Sequence, residues 1–508
     1  MSRSRTFGLP LLILITLFLS ACQGQSSDLA PGAQAAESAL SDIQESALAE
    51  AATTTADAFV PTPYPPRPLY SPGELVDYTA QTGDTLPALA ARFNTTVVEI
   101  LEANPFIPDT ATTMPPGMPM QIPIYYLPLW GSPYRILPDG HFIDGPSVID
   151  FDIQEFVAGY PGWLNGYQVY AAGANRSGAE IVEYVALRYS VSPRLLLALL
   201  EYQAGALSNP ELSDDVQTYT LGYNYWDHEG VYLQLNWAAN LLNNGYYEHR
   251  AGRLHAIEHP DGRMVRIDPW LNSATASLHY YFNEIFDNYN SYARATSSEG
   301  LASTYARLFG DPWSDESPHI TGSLTQPAFS LPFETGTTWA YTGGPHSPWG
   351  VGEPFAALDF APPDVRAGSC EASSQSVTAI ADGVVVRSET GVVVLDLDGD
   401  GDERTGWNIF YLHLARQGRA QVGDSLQQGD AIGYPSCEGG TSTGTHIHLA
   451  RKYNGEWMLA EGTLAFNLEG WEAHNGNEGY QGTLTRGGQT VTACVCSNAK
   501  SFVTAGSR

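Results

Sequence analysis

At 508 residues the chain is too long for one ordinary domain, and at roughly 150 residues per domain it should hold about three compact units. Its 55 acidic residues against 24 basic ones give a formal net charge of -31, which excludes nucleic acid and an anionic membrane surface as partners held by charge. An anionic polymer could be held only through short-range contacts.

Residues 1–22 begin with two arginines and an apolar run from Leu9 to Leu19. That run is shorter than the roughly 20 apolar residues a membrane-spanning helix needs, so it reads as a secretory signal. Leu19-Ser20-Ala21-Cys22 resembles a bacterial lipoprotein signal. The resemblance implies export, lipidation of Cys22 and a membrane-anchored place in the cell envelope or at its extracellular face. Export permits disulfides among Cys370, Cys437, Cys494 and Cys496, with a connectivity that sequence alone leaves open. Residues 23–71 are Ala-, Ser- and Thr-rich and close in PTPYPPRPLY. So little apolar surface predicts a disordered tether.

Residues 72–127 read as strand, helix, helix, strand. Leu86, Leu89, Ala90 and Phe93 share one side of the first helix, and Val97, Ile100 and Leu101 are the apolar positions of the second. Tyr78, Gly83-Asp84-Thr85-Leu86, Asn104 and the stretch from Gly117 to Ile122-Pro123 resemble a LysM module. That resemblance implies binding of N-acetylglucosamine-containing glycans, chiefly peptidoglycan or chitin. The glycan would lie in a shallow groove between the first strand–helix loop and the second helix–strand loop, with Gly83, Asp84, Thr85 and Ile107 lining it. Asp84 and Thr85 suit helix capping equally well.

Residues 128–325 are predicted to be mostly helical, from apolar residues at i, i+3, i+4 and i+7. SVSPRLLLALLEYQAGALS resembles the catalytic-glutamate helix of lysozyme-like lytic transglycosylases, which would make Glu201 a general acid with its pKa raised by desolvation. Tyr202 stands where that family places a serine, and its later motif is absent. The aromatics Tyr223, Tyr225, Trp226, Tyr232 and Trp237 suit stacking on sugars or a plain aromatic core.

From 326 to 475 short strands alternate with Gly/Asp turns, predicting an antiparallel all-β domain. In THIHLA, His446 and His448 share one face of a strand while Ile447 and Leu449 share the other. IFYLHLA would likewise put Tyr411 and His413 on one face, and His346 and Asp359 lie further upstream. Two histidines and a carboxylate fit a catalytic zinc site with its fourth position open.

Asp359-Phe360-Ala361-Pro362, Ala381-Asp382-Gly383, Tyr411-Leu412-His413-Leu414, Val422-Gly423-Asp424, Gln428-Gly429-Asp430 and Thr443-Gly444-Thr445-His446-Ile447-His448 together resemble the lysostaphin-type, or LytM-type, zinc endopeptidases of peptidoglycan. The resemblance implies His346, Asp359 and His448 as zinc ligands. His446 would move a proton between water and the leaving amine and His413 would stabilise the oxyanion, or the two would exchange roles. Tyr411 would contact substrate. Residues 347–358 form an insert between the first histidine and the aspartate, longer than the family pattern, and offer Trp349 and Phe355 to substrate. The family fold brings the loops carrying Cys370 and Cys437 to one rim, implying that these two pair. Residues 476–508, with Cys494 and Cys496, form an extension without a reading.

LDLDGDGDERTGW, with Asp396, Asp398 and Asp400, matches the first half of a calcium loop but has Trp407 where that loop ends in Glu. An acidic hairpin tip is the alternative. The whole reads as a lipid-anchored protein whose LysM module holds peptidoglycan glycan while a zinc endopeptidase cuts its peptides. The rivals are a metal-free regulator of other wall hydrolases, a glycan-cleaving enzyme centred on Glu201, and a LysM-bearing adhesin.

Overall fold

The computed structural model describes residues 68–126, 131–314, 317–496 and 498–506; the signal, Cys22 and nearly all of the tether fall outside them. Among the described residues no helix is long and apolar enough to cross a membrane.

The first unit runs β1 (Glu74–Thr79), α1 (Leu86–Phe93), α2 (Val97–Ala103) and β2 (Pro119–Ile124), with the two strands antiparallel. Thr85 caps α1 and Thr96 caps α2 in a reciprocal capping box with Glu99, satisfying amides that each helix start leaves bare. Leu86, Leu89, Phe93, Ile100 and Ile122 close its core.

The helical region includes α3 (Gly178–Tyr189), α4 (Pro193–Ala204), α5 (Val231–Arg250), α6 (Ser273–Ile285) and α7 (Leu301–Phe309). Proline opens α4 and Gly205, at φ +65°, closes it, as proline's fixed φ and glycine's access to the left-handed region dictate. Leu195 through Leu200 are buried without exception, so α4 lies inside the bundle rather than along its surface.

The C-terminal domain is antiparallel and all-β, as read. Its main sheet contains β3 (Thr338–His346), β4 (Ala357–Ala361), β5 (Gly383–Glu389), β6 (Gly391–Asp396), β7 (Trp407–Leu414), β8 (Ser425–Leu426), β9 (Ile447–Tyr453), β10 (Glu456–Trp457) and β11 (Phe502–Thr504). The spatial order is β8-β5-β6-β7-β9-β4-β3-β11, with β10 paired to β9. Trp339, Phe360, Ile409, Tyr411, Ile447 and Leu449 belong to the core on one face.

One buried polar network joins the three regions. Glu456 of β10 accepts from Arg250 Nε and Nη2, both at 2.9 Å, from the Tyr246 hydroxyl at 2.9 Å and from His319 Nε2 at 2.6 Å. Arg250, at the end of α5, also donates to the Thr82 carbonyl of the first unit at 2.5 Å. Burial alone would raise the pKa of Glu456; the charge of Arg250, with His319 beside it, outweighs burial and holds it down at about 2. A depressed carboxylate contributes stability that is complete above its unfolded pKa and is lost as pH falls through the folded one. Stability attributable to Glu456 should therefore fall away between an ordinary 4.5 and about 2. In thermal melts across that window, Glu456→Gln should flatten this part of the pH slope. At neutral pH it should cost about 3–5 kcal/mol by removing the charge that Arg250 and His319 share in the interior.

Candidate active site

The sheet register assembles the site. His448 of β9 lies directly across from Asp359 of β4, and β3 on the other side of β4 ends at His346. Gly343 of β3 is opposite Asp359, where a β-carbon would collide with the carboxylate. The insert after His346 is pinched at its base, where Ala356 N–H donates to the His346 carbonyl at 2.9 Å. The longer loop thus returns both ends to the same place.

His346 Nε2, His448 Nδ1 and Asp359 Oδ1 converge, at 3.0 Å between the nitrogens and 3.4 and 3.2 Å from His346 and His448 to the oxygen. His346 Nδ1 lies 2.8 Å from the Gly344 carbonyl; a carbonyl only accepts, so that nitrogen carries the proton and Nε2 presents a lone pair. Asp359 Oδ1 is buried with no hydrogen-bond partner. Lone pairs converging in the interior repel unless a cation lies among them. Bonds of about 2.0–2.2 Å to a tetrahedral ion set neighbouring ligands about 3.3 Å apart, which these spacings match. Burial would raise the Asp359 pKa, but its interactions with the surrounding His346, His446 and His448 side chains hold it well below the usual carboxylate range.

His446 and His413 stand beside this triad. His446 Nε2 is 3.6 Å from Asp359 Oδ1, and the His413 and His446 rings are 4.6 Å apart. Each gives its Nδ1 proton to a backbone carbonyl, His446 to Gly444 at 2.8 Å and His413 to Glu438 at 2.9 Å, leaving Nε2 as an acceptor. Burial, with the His446 and His448 imidazoles adding to it, pushes the His413 pKa down to about 3.

The expected common face for Tyr411 and His413 is corrected by the backbone. His413 has φ +71° beside a register irregularity of β6 and β7, so the alternation breaks at this residue. Tyr411 points into the core, fully buried, its hydroxyl accepting the Ile380 N–H at 2.8 Å; it does not reach the site. Only the left-handed residue turns its imidazole to the metal side.

Other sequence expectations are also revised. Glu201 Oε2 accepts the Leu207 and Ser208 amides at 3.0 and 3.1 Å, and Oε1 pairs with Arg307 at 3.2 Å. These three donors occupy both carboxylate oxygens, and Glu201 closes the turn after α4. Asp84 is buried, accepting from Tyr78 at 2.7 Å, the Gln81 amide at 2.7 Å and Arg92 at 2.9 Å, so it braces its loop and does not face a glycan. Thr85 is the α1 cap, Gly83 lies against the Arg250 guanidinium, and Ile107 is in the core. Asp396, Asp398 and Asp400 each bring an oxygen within 4.8 Å of the others, but all three accept amides of their own loop, the hairpin-tip reading, and no calcium is assigned there.

Trp349 is half-buried, 6.4 Å from the Phe410 ring and 5.2 Å from the Arg188 guanidinium of α3. Val351 and Glu353 amides donate to Asn240 and Asn244 of α5, both at 2.7 Å. The insert is therefore a bracket onto the helical region. Cys370 is bonded to Cys437, and Cys494 to Cys496. Thr445 N–H donates to the Ser369 carbonyl at 2.8 Å, tying the Cys370 loop to the strand that carries His446.

Sequence reasoning missed Tyr480. Its ring stacks on His346 at 4.0 Å and 22°, yet it is 58% exposed, forming an open wall of the site from the C-terminal extension. No periodicity or motif marks a lone loop tyrosine.

A histidine–carboxylate–histidine triad on adjacent strands of an antiparallel sheet, flanked by two further imidazoles, is a group that could hold a metal ion. Comparison with known proteins places the class. Residues 368–459 match Peptidase family M23, residues 135–322 the LasA N-terminal domain and residues 78–123 the LysM domain. The chain thus carries an M23 metallopeptidase domain behind LysM and LasA N-terminal domains. His346 and Asp359 precede the span matched to M23. Protease LasA of Pseudomonas aeruginosa (strain UCBPP-PA14) is 27% identical over 367 residues, 68% of this chain and 78% of that protein. Beta-lytic metalloendopeptidase of Achromobacter lyticus is 29% identical over 143 residues, 26% of this chain and 35% of that one. Among solved structures, the M23 metalloprotease pseudoalterin is 25% identical, covering 33% of this chain and 96% of its own, with a TM-score of 0.29.

The left-handed backbone at His413 makes a stability prediction. A β-carbon there costs about 1–2 kcal/mol that glycine does not incur. His413→Gly should therefore unfold at higher denaturant than His413→Ala by about 1 kcal/mol, measured by urea titration of both variants. Equal midpoints would mean the left-handed turn is not held in solution.

Proposed function

We propose that this chain is an exported, lipid-anchored zinc endopeptidase that hydrolyses peptide bonds of peptidoglycan, with Cys22 as its lipid site and the LysM domain directing it to the glycan. The observation that carries the reading is the convergence of His346 Nε2, His448 Nδ1 and Asp359 Oδ1 on one buried point. The M23 match supports peptide hydrolysis and the LysM match supports a wall substrate.

His346, Asp359 and His448 would hold zinc, which when bound polarises the scissile carbonyl and acidifies a water. His446 is the more exposed of the two flanking imidazoles, half-buried where His413 is buried. Its free Nε2 accepts the attacking water's proton and then delivers it to the leaving amine. His413, kept neutral by burial, offers its own Nε2 lone pair to orient that water. The open ring face of Tyr480 gives the peptide a flat wall to lie along.

The test combines metal analysis with release of new amines from purified peptidoglycan. Wild type should hold about one zinc per chain and release amines. His448→Ala should lose zinc on dialysis and with it turnover, because two ligands remain. His446→Ala should keep zinc but turn over ~10²–10⁴-fold more slowly. Amine release that persists after chelation would sink the proposal. A wild type that holds no zinc under metal-replete conditions and releases no amines would favour the metal-free regulator.

A further inference from the structure

The groove that a LysM module offers to glycan already has an occupant. Its two walls are the β1–α1 loop, containing Thr82, and the α2–β2 loop, containing Thr112 and Thr113, and the Met114 amide joins them by donating to the Asp84 carbonyl at 2.8 Å. Segment 320–324, between the helical region and the β-domain, bridges both walls. At the first wall, Ile320 N–H donates to Thr82 Oγ1 at 2.9 Å and Thr82 Oγ1 returns a bond to the Ile320 carbonyl at 3.2 Å.

Contacts with the second wall are denser. Thr113 Oγ1 donates to the Thr321 carbonyl at 2.7 Å and accepts the Leu324 amide at 3.0 Å. Thr112 Oγ1 donates to the Leu324 carbonyl at 2.6 Å, and Ser323 N–H donates to the Thr113 carbonyl at 2.9 Å. Gly322 lies so close to Pro115 that a β-carbon would come within 2.6 Å of it. The segment uses its backbone for the LysM walls and its side chains for the other side: Ile320 and Leu324 pack with Trp407 and Met458 of the β-domain.

We infer that segment 320–324 is an internal ligand of the LysM groove, competing with β-linked N-acetylglucosamine glycan for the same hydroxyls and amides. The inference rests on the LysM domain being a glycan binder and concerns what that binding requires. An acetamido-sugar presents the same alternation of donors and acceptors as an extended backbone, so both cannot be held at once. Glycan affinity is then reduced by the fraction of molecules in which the segment is out of the groove. Glycan capture also detaches the LysM walls from a segment anchored in the β-domain, coupling wall binding to the seating of the peptidase.

The full soluble chain tests this with a tetramer of N-acetylglucosamine as probe, by calorimetry on wild type, Gly322→Leu and Ser323→Pro. Leucine at 322 meets Pro115. Proline at 323 loses the N–H given to Thr113 and cannot adopt the observed φ of +54°. Both substitutions leave the LysM walls intact. Each variant should bind the tetramer at least tenfold more tightly than wild type. In wild type, saturating tetramer should speed amide exchange at Ile320, Ser323 and Leu324.

Equal affinity in all three proteins, or unchanged exchange in wild type on tetramer binding, overturns the competition while leaving glycan binding in place. Absence of binding in all three overturns the glycan-binding reading itself. If circular dichroism shows both variants unfolded, the exchange measurement on wild type decides alone.

Discussion

Burying the carboxylate of Asp359 among imidazoles is the constraint on which the site depends. A charge taken out of water must be met by opposite charge or by hydrogen bonds, and Asp359 Oδ1 has no donor of its own. His346 cannot provide one, because it has committed its proton to the Gly344 carbonyl. The surroundings follow from that need: Gly343 makes room, the register of β3, β4 and β9 aims the three ligand atoms at one point, and His413 leaves regular strand geometry to join them.

Glu456 meets the same cost differently. Its two oxygens take four hydrogen bonds from Arg250, Tyr246 and His319, so its charge is balanced by the protein itself. Asp84 is likewise balanced, by Arg92 and Tyr78. A carboxylate with its donors inside the fold is a structural joint, whereas one with a buried, unpartnered oxygen among imidazole nitrogens is a place for a cation. The contrast separates chemistry from architecture more sharply than burial does, since all three are buried.

These joints also lock the regions of the chain onto one another. Arg250 reaches from α5 to Glu456 and to Thr82, and the insert after His346 is held by Asn240 and Asn244. The loop that lengthens the spacing between the first histidine and the aspartate thus serves the interface with the helices. The metal point is undisturbed because the loop closes on itself at His346 and Ala356.

Much of the site was legible because a strand's period of two is simple: His446-Ile447-His448 declared a wet face and a dry one. The same rule failed at Tyr411 and His413, where one left-handed residue reverses the alternation, and no local pattern in a histidine-bearing strand announces that. Glu201 and Asp84 were read from their surroundings in sequence, which cannot show Arg307 or Arg92 arriving from elsewhere. Tyr480 was invisible for the same reason. By itself the sequence determined the helical and β regions and the LysM unit, and it singled out the histidines and aspartate that the fold brings together, because spacing and residue chemistry are local properties. Tertiary structure alone decided which carboxylates are already balanced, which aromatic rings reach the site and what fills the LysM groove, because each depends on partners brought from distant parts of the chain.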